Sequence, residues 1–442
     1  MVTMQIQYQK SIEVRHEVDV FVAGGGPAGV AAAVTAARQG RSVFLAEGHS
    51  CFGGMGTAGL VPLFMMFGDG VHFCADGIGR EVRDALNALK GPNAYGGPDA
   101  IPAELLKRVY DTMVTEAGVQ FSFMTTVVDV IRDGAGHLRQ AICNGKSGFF
   151  AVSAQQFIDC TGDADVAAWS GVPCEKGEAE DGSMMPGTLC SLWADVDYER
   201  FHQSGVNVHE QLKEALEQGE FTLYDLHLPG MFRVGEHLAG GNIGHAFGVD
   251  GTDERSLTEF LLDGRRRLTE YESFYRRRIP GFEGMTLVQT GSLMGIRESR
   301  RIVGDYVLCM DDFQARAVFD DEIGRYCYPV DIHASKPDPK KYEAFEKEFY
   351  KVGRYGKGEN YGIPYRSLVP QGVDNLLVAG RCISCDRKIQ GSVRVMPGCY
   401  ITGQAAGMAA AIAVEDGCDT RGVQVPKLQA RLKAMGAFLP NC

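Results

Sequence analysis

Residues 18–47 read VDVFVAGGGPAGVAAAVTAARQGRSVFLAE. Val18–Ala23 is an apolar run of the kind that makes a buried strand. Gly24, Gly26 and Gly29 follow at G-x-G-x-x-G spacing, then a small-residue helix to about Gln39 and a second short strand, Ser42–Leu45. Each glycine has a separate physical task. Gly24 allows the tight turn, Gly26 lets backbone approach a pyrophosphate, and Gly29 lets helix and strand pack closely. With Pro27 and Ala28 opening the helix, its unpaired N–H groups and positive dipole end face the phosphates. Glu47 stands where an acid accepts hydrogen bonds from a ribose, which favours FAD or NAD over a 2′-phosphorylated dinucleotide.

The 442-residue chain is 45% hydrophobic, enough for a large core and more than one domain. Its formal net charge of −12 argues against nucleic acid or an anionic membrane surface as a partner. The richest apolar run, Gly407–Val414, is far shorter than a bilayer span, and the N-terminal residues lack the apolar core of a signal peptide. Thirteen scattered cysteines read as reduced thiols, so a cytoplasmic location is expected.

After Glu47 comes a loop with Gly53, Gly54, Gly56 and Thr57, too rich in glycine for a regular element. Helical patches fall at 78–89 and 102–116, and strands at 121–131, 140–144 and 148–152. The segment QFIDCTGDAD, 156–165, is a strand leaving a sheet beside a ligand. From about 177 to 364 charged helices and aromatic loops dominate, and 335–361 reads as a solvated excursion. Residues 366–380 return to a strand ending at Gly380. A small-residue helix follows at 398–414, suited to very close neighbours. The expected division is 1–175 and 366–442 as a cofactor-binding domain, with 176–365 as an inserted cap that carries the substrate. A second strand-coupled G-x-G-x-x-G is absent, so a separate nicotinamide domain is not expected.

The chain resembles the FAD-dependent oxidoreductase family of glutathione-reductase-like fold, with a more distant likeness to fumarate reductase and aspartate oxidase flavoproteins. The resemblance lies in 19–40, CFGGMGTAGLV (51–61), IDCTGDADVAAWSG (158–171), MGIRESRRIVGDY (294–306), IPYRSLVPQGVDNLLVAGRCIS (363–384) and QGSVRVMPGCYITGQAAGMAA (390–410). It implies an α/β, Rossmann-like FAD-binding fold with an inserted α+β cap. It also implies that Gly24, Gly26, Gly29 and Glu47 hold the adenosine and pyrophosphate, and that Gly53, Gly54 and Thr57 line the ribityl or flavin side. Thr161, Gly162 and Asp163 would sit by the adenine half, Gly380 and Arg381 over the pyrophosphate, and Gln404, Ala405 and Ala406 near the pyrimidine ring. One departure stands out: where such proteins commonly show a histidine after the Arg-Cys-Ile-Ser segment, this chain has Cys385, Asp386 and Arg387.

The expected activity is oxidation of a small polar or anionic molecule by hydride transfer to flavin N5, with an unidentified electron acceptor. The alternatives are fumarate-reductase-like reduction of an activated alkene and an NAD-dependent dehydrogenase. Arg297 and Arg301, four residues apart, could clamp an anion from one helix face. Arg394 precedes the flavin-facing helix. Tyr365 and Arg366 lie where the cap rejoins the first domain. Of the ten histidines, His49, His245 and His333 draw attention, with His245 the candidate general base. The Cys382-x-x-Cys385 pair reads as buried thiols, and no metal site is expected for want of a second cysteine pair. A homodimer is the ordinary expectation for the assembly.

Overall fold

The computed structural model describes residues 6–442 apart from 93, 339, 341, 345, 346 and 348–351, so the excursion expected at 335–361 lies partly outside the described residues. Its centre is β1, Glu13–Ala23, whose inner end from Val20 to Ala23 is fully buried. Such a two-sided apolar strand belongs in the middle of a parallel sheet. It runs parallel to β2, Val43–Ala46, on one side and to β6, Gly148–Asp159, on the other. Helix α1, Pro27–Arg38, connects β1 to β2 in the expected βαβ manner.

The sheet continues outward through β3, Gln120–Ser122, and on the other side through the antiparallel β5, Leu138–Gly145, and β4, Thr126–Arg132. The strand expected across 121–131 is broken in two, with Met124 at φ +52° in the turn between its halves. On its edge away from β1, strand β6 is long enough to serve two neighbours. Its first half pairs with β5, and its last residues pair in parallel with Leu376–Val378, which returns from the far end of the chain.

Helices α2, Ile78–Lys90, and α3, Ala103–Glu116, pack beside the sheet, as their apolar spacing requires. The helix Met396–Asp416 is buried along nearly its whole length and lies against α1. Gly403 and Gly407 make this contact possible. A Cβ at either would stand 2.2 Å from a backbone oxygen of α1, on Ala28 and Ala32 respectively.

Residues between β6 and Leu376 build a second core around Trp193, Phe274 and Tyr275. It is formed by a four-stranded antiparallel sheet (Ser191–Ala194, Gly230–Arg233, Ala239–Asn242 and Thr286–Thr290) under the long helix Glu254–Arg278. This sheet abuts the loop after the glycine-rich segment. A Cβ on Gly240 would meet Pro62 at 2.2 Å, and Ser292 N donates to Ala58 O at 2.9 Å.

Candidate functional site: a nucleotide cradle beside a buried imidazole cluster

The nucleotide cradle assembles from segments far apart in sequence. Gly24, at φ +88°, turns so tightly that a Cβ would lie 2.7 Å from Cys160 O, which ties the first turn to the end of β6. Gly54 approaches Gly26 and Pro27, and Gly380 approaches Ala28. Arg381 closes the set: its Nε donates to Gly162 O at 2.8 Å and its Nη2 pairs with Asp163 at 2.6 Å. Helix α1 starts at Pro27 with no side-chain cap, and a Cβ on Gly26 would meet nothing within 4 Å. An uncapped helix N-terminus behind open glycine backbone is what a pyrophosphate requires, so the residues present fit a dinucleotide.

Other expected cofactor residues are engaged by the protein itself. The Glu47 carboxylate, expected to accept from a ribose, accepts from Gly25 N at 2.6 Å and His49 N at 2.7 Å and so shapes the glycine turn. Thr57 Oγ1 donates to Phe52 O, and Thr161 Oγ1 to Asp159 at 2.7 Å. Gln404 is tied to the start of α2: it accepts from Ile78 N at 3.0 Å and donates to Asp76 O at 3.2 Å. Ala405 and Ala406 are wholly buried beside it.

Three of the four expected catalytic residues come together. Arg297, His245 and Arg394 converge on a group that also contains His227, His333, Asp225 and Asp331. His245 Nε2 lies 3.0 Å from His333 Nδ1. The outer nitrogen of each ring faces a carboxylate, His245 Nδ1 at 3.0 Å from Asp225 and His333 Nε2 at 3.4 Å from Asp331. Asp331 also accepts from Arg394 at 3.2 Å. The group adjoins the cradle, because Arg381 Nη1 donates to Ile296 O at 2.8 Å, one residue before Arg297. Arg394 directly precedes the N-cap of the Met396–Asp416 helix.

Burial sets the electrostatics here. Desolvation drives the His227 pKa down to about 3, helped by His245 and Arg297. It also lowers His245 and takes His333 well below the ordinary range. Burial would raise the Asp331 carboxyl, but His333, Arg394 and Arg297 outweigh it and hold it far down. Arg297 is pushed down to about 10, first by burial and then by Arg394.

The structure rearranges two expectations. Residues 297–299 have no helical structure and Arg300–Ile302 is a strand, so Arg297 and Arg301 share no helix face. Arg301 is spent on Glu298, at 3.1 Å, and on Cys385 O. Tyr365 is not brought to the cluster: it is buried and donates to Thr420 O at 2.7 Å. Cys382 and Cys385 are buried free thiols, held protonated by desolvation.

An α/β fold with this cradle defines a dinucleotide-binding enzyme scaffold. The FAD dependent oxidoreductase family model matches residues 19–432. The chain belongs to that family: it is a flavoenzyme that uses FAD, which sets the nicotinamide alternative aside. Solved structures match the chain at low similarity. A geranylgeranyl bacteriochlorophyll reductase-like protein from Thermoplasma acidophilum is 14% identical with a TM-score of 0.46, over 95% of this chain and 83% of that one. The flavin-dependent brominase Bmp2 is 11% identical at TM-score 0.46, over 95% and 83%. The p-nitrophenol 4-monooxygenase PnpA from Pseudomonas putida is 12% identical at 0.44, over 96% and 91%. No curated protein matches the chain. Among the described residues no helix is long and apolar enough to cross a membrane.

Proposed function

We propose that this flavoenzyme oxidises a small anionic organic molecule bound beside Arg297. Bound in the cradle, FAD supplies a two-electron acceptor at flavin N5. The observation that carries the anionic substrate is the pairing of Arg297. It is 8% exposed, and its hydrogen bonds go to Pro186 O at 2.8 Å and Thr188 Oγ1 at 2.9 Å. Among the described residues no carboxylate within ion-pair distance of Arg297 answers its charge, whereas Arg301, Arg325 and Arg394 each have one. Asp331 and Asp225 act on it only from beyond ion-pair distance, and a buried charge without a close partner is costly, so an anionic ligand at this position would gain both a hydrogen-bond donor and a desolvated partner. Arg394, held by Asp331 but with an unpartnered buried Nε, would supply a second positive edge.

A second reading is reduction of an activated alkene, with Arg297 donating the proton. Its favouring observation is the same depressed guanidinium, at about 10, which makes proton release less costly than from an ordinary arginine.

Anaerobic incubation of the FAD-loaded enzyme with small hydroxy-, amino- and unsaturated carboxylates separates the two. Oxidation predicts that a hydroxy- or aminocarboxylate bleaches the visible flavin band. The alkene reading predicts instead that dithionite-reduced enzyme recovers its colour with an unsaturated carboxylate. Bleaching only by neutral or cationic compounds overturns the anionic substrate.

A further inference from the structure

We propose that His227, His245 and His333 bind a divalent transition-metal ion next to the substrate position. This deepens the proposed function and rests on it only for the role of the ion, since the metal site stands on its own geometry. The three rings offer one nitrogen each, and these atoms all lie within 4.8 Å of one another. Ring centres are separated by 4.3 Å (His227–His333), 4.8 Å (His227–His245) and 5.1 Å (His245–His333). With a metal–nitrogen bond of about 2.1 Å, an imidazole centre stands about 3.2 Å from the ion. Rings on neighbouring coordination sites are then separated by roughly 4.5 Å at a right angle and 5.2 Å at the tetrahedral angle. Two sides of the observed triangle fall within this range and the third, 4.3 Å, just below it; the His227 and His245 planes are stacked at 12°, so one of these rings must turn about its own axis to share the ion.

The groups behind the rings agree. A metal-binding histidine commonly turns its outer nitrogen to a carboxylate, which orients the ring and raises its basicity. His333 does so with Asp331, and His245 Nδ1 lies 3.0 Å from Asp225 Oδ2 without the alignment of a hydrogen bond. Asp225 accepts from the backbone N–H of His227 at 3.1 Å, so one carboxylate braces two of the three ligands. The inward nitrogens, His245 Nε2 and His333 Nδ1, are 3.0 Å apart, near the roughly 3.3 Å between donors on one tetrahedral ion. A narrow cleft of about 10 Å³, lined by Gly244, His245, Asp263, Arg267 and Tyr271, reaches His245.

Charge decides what else the ion requires. Asp225 and Asp331 offset Arg297 and Arg394, so a divalent ion leaves the group with two positive charges in excess. An anionic substrate that coordinates the ion through an oxygen and meets Arg297 with its carboxylate would reduce that excess. Metal affinity and anion affinity are therefore coupled in the same direction. Three imidazoles with open positions suit Zn²⁺, Mn²⁺ or Fe²⁺, and the ion would hold and polarise a substrate oxygen where His245 alone was expected to act as base.

The test uses FAD-loaded enzyme in a Cys442→Ser background, because Cys442 is the exposed thiol among the cysteines. The protein is stripped with chelator, titrated with Zn²⁺ and, separately, Mn²⁺ against a chromophoric competitor, then passed through a desalting column for elemental analysis. We expect about one equivalent of at least one ion to be retained. His227→Ala and His333→Ala should each weaken binding by at least 100-fold, and Asp225→Asn by roughly 10–100-fold, with FAD content unchanged. Oxalate should tighten binding in the parent protein and not in Arg297→Met. Retention below a tenth of an equivalent for both ions, or equal retention in folded His227→Ala, overturns the proposal. If His333→Ala does not fold, His227→Ala and Asp225→Asn decide. Bleaching by an anionic substrate in metal-free enzyme at the full rate would leave the proposed oxidation intact and remove the ion from it.

Discussion

Replacing Gly403 and Gly407 by alanine sets two physical effects against each other in the helix that covers α1. Helix propensity alone favours the change, by about 1 kcal/mol for each glycine removed from a helix interior. Packing opposes it. A Cβ at either position would lie 2.2 Å from a carbonyl oxygen of α1, and the obstructing atoms are backbone that no rotamer change can move aside. A carbon–oxygen contact needs about 3.3 Å, so the helices must separate by roughly 1 Å. Overpacking of that kind costs ~1–3 kcal/mol per site, and here the upper end applies. The double variant should therefore lose roughly 2–4 kcal/mol despite its better helix propensity. The same displacement moves Ala28, at the N-terminus of α1, where the pyrophosphate is held. Thermal release of flavin fluorescence reads stability, and FAD content after gel filtration reads the cradle. Both should fall. A higher unfolding midpoint with full FAD content would show that the glycines are not required for close approach.

Two further substitutions test the framework around the cluster. The buried Glu298 carboxylate accepts from Met185 N, Arg301 and Arg387, so Glu298→Gln should cost ~2–3 kcal/mol in urea unfolding by leaving Arg301 and Arg387 with only the outlying carboxylates Glu175, at 3.7 Å, and Glu178, at 3.2 Å. For Asp69, burial acts to raise the carboxyl, but bonds from His72, Val71 and Asn360 prevail and hold it at about 2. Because the folded state lowers this pKa, its stabilisation is present above about pH 4 and disappears as pH falls towards 2. Asp69→Asn should remove about 2 kcal/mol at neutral pH and flatten the acid limb of the stability curve, measured by urea midpoints at successive pH values.

The cofactor half of the protein was legible in sequence because its determinants are local and patterned. An apolar strand, spaced glycines and a small-residue helix dictate one another's positions within thirty residues. That a late strand ending at Gly380 completes this half was also legible, but its pairing with β6 came only from the structure. The imidazole cluster was only partly legible. Arg297, His245, Arg394 and His333 were singled out by their neighbours in sequence, while His227, Asp225 and Asp331 were not. Each lies on irregular chain, where periodicity says nothing about which residues meet. Their one sequence trace is the D-x-H spacing that occurs twice, at Asp225-Leu226-His227 and Asp331-Ile332-His333. Arg297 and Arg301 were paired on an assumed helix that the extended chain at 300–302 does not form. Tyr365 was expected at a cleft because it follows the cap, yet an aromatic ring at such a junction can be drawn into the core, and its hydroxyl finds Thr420 O there.

Arg297 is the proposed anchor of an anionic substrate. Its most direct test is the anaerobic rate of flavin reduction by the best carboxylate substrate in wild type and in Arg297→Met, with FAD content matched. Loss of a buried, charge-assisted contact worth ~2–5 kcal/mol predicts that the low-substrate rate falls by at least about 30-fold. It also predicts a much smaller change for an uncharged analogue of the same compound. Equal losses for the charged and uncharged compounds, or none for either, would contradict it.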